Sequence, residues 1–349
     1  MTTPLLSSEH QSYNALATWL YGDYKKLAAL LEQHHSWTVA YQKNAPEAGD
    51  ADALWKPVER SGLKLILNTD TGFPQILREI PWKPHALYLL GAPLTSERKI
   101  AIVGTRKATA VGLEITKRFS QKLSESGLAI VSGLALGIDA AAHIGTLQAK
   151  GKTLAVLACG LDSMYPKQNE QLARQILAGG GTIISEYPPG SPALQQRFLE
   201  RNRITSGLCD AVVVIEAPVK SGVKSTARFA VEQNREVFVV PGMITNPNYA
   251  GSHQLIRSGA QLVTSSAEIL EHLEIKPKNN QTLFAEGRFD KLDKKHRIIL
   301  QTLMKNGMPL SVDELAGETQ MTAAEISSII TLLTLDGIVN EETGKYFIA

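Results

Sequence analysis

The chain has 349 residues, 44% of them hydrophobic and 20% charged, with a formal net charge of +2. That length favours two or three domains over a single core. No apolar run approaches the roughly 18 to 20 residues that span a bilayer. The opening MTTPLLSSEHQ lacks the basic-then-apolar order of a secretory signal, so a cytoplasmic protein with no membrane partner is expected. Cys159 and Cys209 form no metal spacing and the eight histidines show no H-x-x-x-H or H-E-x-x-H pattern, so no metal is expected.

The small net charge hides an asymmetry. Residues 96–263 hold 19 Lys or Arg against 12 Asp or Glu, a balance of +7. Residues 1–95, 264–287 and 288–349 carry −1, −2 and −2. A basic middle with slightly acidic flanks suits a polyanion-binding core with appendages of other purpose.

In chain order, residues 8–60 read as helices, with Leu16, Trp19 and Leu20, then Leu27, Leu30 and Leu31, at helical intervals. A polar stretch, NAPEAGDADA, precedes LKLILNTDTGFPQILREIPWKPHALYLLG, which reads as short strands around a proline-rich connection. From residue 100 the pattern becomes a βα alternation. IAIV (100–103), LAIV (128–131), TLAVLA (153–158), TIIS (182–185), AVVVIEA (211–217) and EVFVVP (236–241) are the strands. Near-continuous apolar strands separated by helices predict an α/β, Rossmann-like, doubly wound and mostly parallel sheet, buried on both faces. After the polar stretch 276–287, residues 288–349 read as three helices and a hairpin turning at Thr343-Gly344, a winged helix. Its third helix, 322–335, carries Glu325 as its sole charge, so a protein contact and a DNA contact both stay open for this module.

The functional signal lies in the turns that follow the strands. The first is Gly104-Thr105-Arg106-Lys107, and the second is SGLALGIDAAAH, with Ser132-Gly133 in the turn. The third, CGLDSMYPKQNEQL, holds Lys167 and Asn169. Before the fifth strand lies RFLERNRITSG with Arg197, Arg201 and Arg203, and after it comes APVKSGVKSTARFAVE with Ser221-Gly222. Parallel sheets bind ligands outside the carboxyl ends of their strands. Glycine and small hydroxyl residues let backbone N–H groups approach an anion, and Arg106 and Lys167 supply fixed charge beside them. In the R-N-R helix, pairing of some charges with Glu200, Glu216 or Glu232 is expected to hold loops in place.

Nucleotide readings fail on context. Gly151-Lys152-Thr153 imitates the end of a P-loop, but Thr146 stands at the first glycine position and a strand follows. Ser132-Gly133 occupies the place of the ribose-binding acid of a dinucleotide site. Asp139, His143 and Glu216 have no Ser or Cys nucleophile in a G-x-S-x-G elbow. Asp139 is expected to cap or orient a loop, with His143 packed or paired beside it. Tyr165 and Tyr187 are the candidates for base stacking, or else pack at the loop base.

Taken together and in order, IVGTRKAT, IVSGLALGIDAAAH, GLDSMYPKQN, ISEYPPG, RNRITSGL, VVVIEAPVKSGVKSTARFAVEQNREVFVVPG and GSHQLIRSGA resemble the DNA-processing family DprA, also called Smf. The resemblance covers about 63–273. It implies a Rossmann-like core (63–275) binding single-stranded DNA through a basic pocket, a homodimer, and loading of RecA onto incoming strands during natural transformation. It implies no required cofactor and no chemical step. Gly104, Thr105 and Arg106 match the family's glycine-hydroxyl-arginine turn, Ser132 and Gly133 its second turn, and Lys167 and Asn169 the positions after its Y-P motif. Residues 1–62 would be a sterile-alpha-motif-like helical domain, although no glycine-rich helix-hairpin-helix signature appears there. Lys224, within Val223-Lys224-Ser225, adds a charge where the family often has apolar residues. The alternative function is a Rossmann-like nucleoside-monophosphate phosphoribohydrolase, whose P-G-G-x-G-T-x-x-E signature is matched only by SGVKSTARFAVE and VPGMIT.

Overall fold

The computed structural model describes residues 8–275, 293–306, 309–335, 338–342 and 344–348. Four helices come first: α1 (Ser8–Trp19), α2 (Tyr24–His34), α3 (Trp37–Ala48) and α4 (Ala51–Arg60). Asp23, Ser36 and Asp50 begin the last three by accepting backbone N–H groups of the first turn. Strands β1 (Lys64–Leu67) and β2 (Ala86–Gly91) pair antiparallel around the short helix α5 (Gln75–Arg78).

The alternation then runs β3 (Lys99–Val103), α6 (Ala110–Glu125), β4 (Ala129–Ser132), α7 (Ile138–Gln148), β5 (Thr153–Leu157), α8 (Glu170–Ala178) and β6 (Thr182–Ser185). It continues through α9 (Gln195–Gly207), β7 (Ala211–Val214), α10 (Val223–Glu232), β8 (Glu236–Val239), α11 (Ala250–Arg257), β9 (Gln261–Leu262) and α12 (Ser266–His272). The nine strands lie in the order β1-β2-β6-β5-β4-β3-β7-β8-β9. Every pairing from β6 to β9 is parallel, and β2 joins β6 antiparallel. The fold is therefore α/β and Rossmann-like. The chain winds outward from β3 to β6 and then returns to β7 on the other side of β3. That reversal opens a crevice between the carboxyl ends of β3 and β7, where open α/β sheets take their ligands.

Every residue of β3, β4, β5, β6 and β7 is buried, which is why these strands read as unbroken apolar runs. One face packs Val131, Val156 and Val212 with Ile204, Ala227 and Ala230 of α9 and α10. The other packs Ile100, Ile130 and Val213 with Phe119, Leu123 and Ala142 of α6 and α7. Tyr13, Leu16, Leu27, Trp37, Trp55 and Val58 of the first four helices share an apolar cluster with Ala155, Leu157 and Ile183 of the sheet. One compact unit accordingly spans Met1–Lys278, and residue 62 marks a change of secondary structure inside it.

The second unit, Asn279–Ala349, is described by itself. It holds α13 (Lys294–Asn306), α14 (Val312–Thr319), α15 (Ala323–Leu335) and the hairpin β10 (Val339–Glu342) with β11 (Lys345–Ile348). Ile299, Leu303, Leu315, Ile326, Ile330 and Leu333 are its core. Ser311 and Glu314 form a capping box at α14. This is a winged helix. The expected linker 276–287 and Thr343 lie outside the described residues. Among the described residues no helix is long and apolar enough to cross a membrane.

Candidate nucleic-acid interface

Two adjoining clefts open at the carboxyl ends of the strands. The first, about 280 Å³, lies at the reversal between β3 and β7. Gly104, Thr105 and Arg106 line one side, Lys220, Ser221 and Gly222 the other, and Phe198, Arg201 and Asn202 of α9 the third. The second, about 640 Å³, is lined by Gly133, Leu136, Tyr165, Lys167 and Phe198, with Arg106 again. Arg106 and Phe198 belong to both, and the guanidinium carbon stands 5.1 Å from the ring centroid, a cation–π contact. Tyr165 leans on the same ring at 5.6 Å and is 44% exposed.

Glycine is required at two turns. A Cβ on Gly104 would lie 2.4 Å from Ile138, so only glycine lets α7 start against the end of β3. A Cβ on Gly133 would lie 2.6 Å from the guanidinium nitrogens of Arg201. The buried Arg201 donates from Nη1 to the Gly133 carbonyl at 3.0 Å and to the Val156 carbonyl, and from Nε to Asn202 Oδ1 at 3.3 Å. Asp139, also buried, orients the 133–135 loop by accepting the N–H groups of Gly133 (3.1 Å) and Ala135 (3.4 Å). Burial raises its carboxyl pKa, opposed by Arg201 and by those N–H groups. Burial in turn lowers the pKa of Arg201, with Asp139 pulling it back. The charged side chains lining the clefts are thus Arg106, Arg201, Lys220 and Lys167 against one buried acid. The site attracts anions.

The other predicted residues divide. Ser132 is fully buried and donates to the Ile102 carbonyl at 2.7 Å. Asn169 is buried and donates to the carbonyls of Leu134 (2.8 Å) and Ala135 (3.1 Å), so it shapes the second cleft from beneath. Lys107 is exposed, beyond the lining of either cleft, and its carbonyl accepts Asn248 Nδ2 at 2.9 Å. Arg203 differs most from expectation. It is 0% exposed and pairs with Glu186 at 2.6 Å, not with Glu200, Glu216 or Glu232, so it offers no surface to a strand. Glu216 instead accepts Thr109 N (3.0 Å), Thr109 Oγ1 (2.5 Å) and Asn248 Nδ2 (3.0 Å), and Glu232 meets Arg228 at 3.5 Å. Lys224 donates to Gln254 at 2.5 Å. His143 is fully buried against Thr153 Oγ1 at 2.7 Å. Tyr187 is 1% exposed, its hydroxyl donating to Glu200 at 2.7 Å, so it packs and Tyr165 remains the exposed ring. Sequence reasoning missed Phe198, Asn202 and Lys220. An aromatic residue one turn before Arg201 was the available signal for Phe198, since i and i+3 share a helix face.

The family model described as DNA recombination-mediator protein A matches residues 64–274. The chain belongs to that family. A second model, the DprA winged helix domain, matches 288–345. Protein Smf of Synechocystis sp. is 36% identical over 311 residues, 80% of this chain and 78% of the relative. Protein Smf of Escherichia coli is 43% identical over 212 residues, covering 60% of this chain and 56% of the relative. DNA processing protein A of Streptococcus pneumoniae superposes with a TM-score of 0.62 at 35% identity, over 75% of this chain and 92% of that one. The protein of the same name from Helicobacter pylori, solved for its single-stranded DNA binding mode, gives 0.54 at 30% identity over 61% and 95%.

Proposed function

We propose that the protein binds single-stranded DNA across the two strand-end clefts, without sequence preference and without a chemical step. The observation that carries this is Arg106 poised over Phe198 at the junction of two positively lined clefts, with the half-exposed Tyr165 beside it. Single strands call for a basic groove that follows the backbone and an aromatic face for unstacked bases. Arg106 and Lys167 meet the phosphates from the outside, Arg201 and Lys220 from the first cleft, and Tyr165 backed by Phe198 receives a base. Gly104, Ser221 and Gly222 line the same crevice, where small residues let backbone N–H groups approach an anion, whereas the Thr105 N–H is taken by the Glu216 carbonyl at 2.8 Å. The relative whose structure concerns single-stranded DNA supports the reading.

The phosphoribohydrolase alternative is disfavoured by the loop after β7. Aligned on Thr226, its signature needs glycines at 223 and 225 and a glutamate at 229, where Val223, Ser225 and Phe229 stand. Family membership further supports a cytoplasmic homodimer that protects incoming strands and loads RecA onto them. Sedimentation equilibrium reads the dimer, and RecA filament growth on a strand precoated with this protein reads the loading. Absence of either removes that part of the reading.

The DNA test is fluorescence anisotropy of a labelled oligonucleotide at two salt concentrations. Tight single-strand binding that weakens with salt is expected, with Arg106→Ala and Lys167→Ala each losing about tenfold and lowering the salt slope by about 1. Wild-type affinity in both variants would move the DNA elsewhere.

A further inference from the structure

Helix α9 stands between the strand-end cleft and the N-terminal helices. At about 3.6 residues per turn, Phe198, Arg201 and Asn202 share the face that lines the cleft, and Arg197, Glu200 and Arg203 share the opposite one. That second face grips the N-terminal helices. The sealed Arg203 guanidinium lies 4.4 Å from the Trp82 ring and 5.5 Å from that of Tyr24 in α2. Its Nε donates to the Trp82 carbonyl at 2.9 Å, Nη1 to the Glu200 carbonyl at 3.0 Å and Nη2 to Glu186 at 2.6 Å. Arg197 reaches the turn between α1 and α2, donating to the Tyr21 carbonyl at 2.5 Å while lying 4.5 Å over Tyr187. Gly22 of that turn sits so close that a Cβ would meet the Tyr187 ring at 2.8 Å. On the cleft side, Asn202 passes the position of α9 onward by donating to Ser225 Oγ (2.8 Å) and the Gly222 carbonyl (3.3 Å).

We propose that Arg197 and Arg203 are positioning residues for the DNA cleft: through them the α1–α2 turn and Tyr24 set the placement of α9, and so of Phe198, Arg201 and Asn202. The N-terminal helices thereby tune DNA affinity without touching the strand. This rests on the single-stranded DNA reading above. Each of the three Arg203 guanidinium nitrogens donates a hydrogen bond and two rings flank the group, so a lysine there keeps the charge and loses the geometry. Tyr24 belongs to α2 and lines neither cleft, so an effect of its removal on binding is indirect, and its ring contact with Arg203 leads to α9.

The experiment uses the full chain and a labelled thymidine oligonucleotide. Anisotropy gives the Kd of Tyr24→Ala, Arg197→Lys and Arg203→Lys, alone and combined with Phe198→Ala, and circular dichroism confirms that each is folded at the assay temperature. The expected single-variant loss is about fivefold, and the combined variants should bind at least about threefold tighter than the product of the separate losses. A purely structural role would lower the melting temperature and leave Kd unchanged in a fully folded sample. Unchanged Kd in Tyr24→Ala and Arg197→Lys, or losses that simply multiply with Phe198→Ala, overturns the inference. Should Arg203→Lys fail to fold, those two variants decide. Wild-type binding by Phe198→Ala and Arg106→Ala would sink the cleft itself, an outcome distinct from failure of the coupling alone.

Discussion

Arg106 was legible because a basic residue two positions after a strand-end glycine stands in the turn that opens onto the crevice. Arg203 was not. Its partner Glu186 lies 17 residues earlier on another strand end, and no local pattern announces that the second arginine of R-N-R turns inward while the first lines the cleft. Lys107 shows the same limit, since the chain turns between it and Arg106 and carries it away from the site. Gly133 offers a sharp test at this scale. Gly133→Ala would press a methyl group against Arg201, which burial and carbonyl bonds keep from swinging aside. Loss of DNA affinity together with a lowered melting temperature is expected, and a variant matching wild type in both would show that Arg201 yields freely. The buried histidines predict a pH response. Burial holds His143 at a pKa of about 3 and His85 at about 4, against 6.5 ordinarily. The folded state therefore refuses protons that the unfolded chain accepts. The stability this contributes is fully present above pH 6.5 and is lost as pH falls towards 4 and then 3. At pH 5 each costs about 2 kcal/mol. Urea denaturation should show a shallower loss between pH 7 and 5 in His143→Gln than in wild type, and equal slopes would refute the assignment.

At the level of elements, the strands were the clearest part of the sequence because burial on both faces demands unbroken Val, Ile and Leu. Their order was legible only in outline. The reversal that makes the crevice follows from β7 returning beside β3, a long-range choice made by packing. Thr109 starts α6 by accepting Gly112 N at 3.0 Å and also ties the helix to Glu216. Helix α9 was expected to hold loops through paired charges, but not with the partners it has: Arg197, Arg201 and Arg203 are all buried, and Arg203 pairs with Glu186. Such burial is tolerable where every guanidinium finds carbonyl, carboxylate or ring partners, and the fold supplies them from segments as distant as Tyr21, Trp82, Gly133, Val156 and Glu186. The helix is thus a shared wall of cleft and N-terminal layer.

Across the whole molecule, residues 96–263 carry a +7 balance, and at the strand ends four lining cations face a single buried acid. The first four helices were legible as helices but not as a layer on the sheet, because the cluster joining Trp37 and Trp55 to Leu157 is built from contacts distant in sequence. The winged helix has its own core, and the described residues of α15 include one charged side chain, Glu325. A chain ending at Lys278 should therefore keep the single-strand affinity of the full protein. A large loss in that truncated chain would give the second unit a direct part in binding.

The central claim is that one strand of DNA crosses the junction of the two clefts. The most direct measurement is photocrosslinking of an iodouracil-substituted oligonucleotide, with the adducts located by mass spectrometry. Adducts on Tyr165 and Phe198, suppressed at high salt and in Arg106→Ala, are predicted. Adducts confined to other surfaces, with Tyr165 and Phe198 unmodified, would contradict the account.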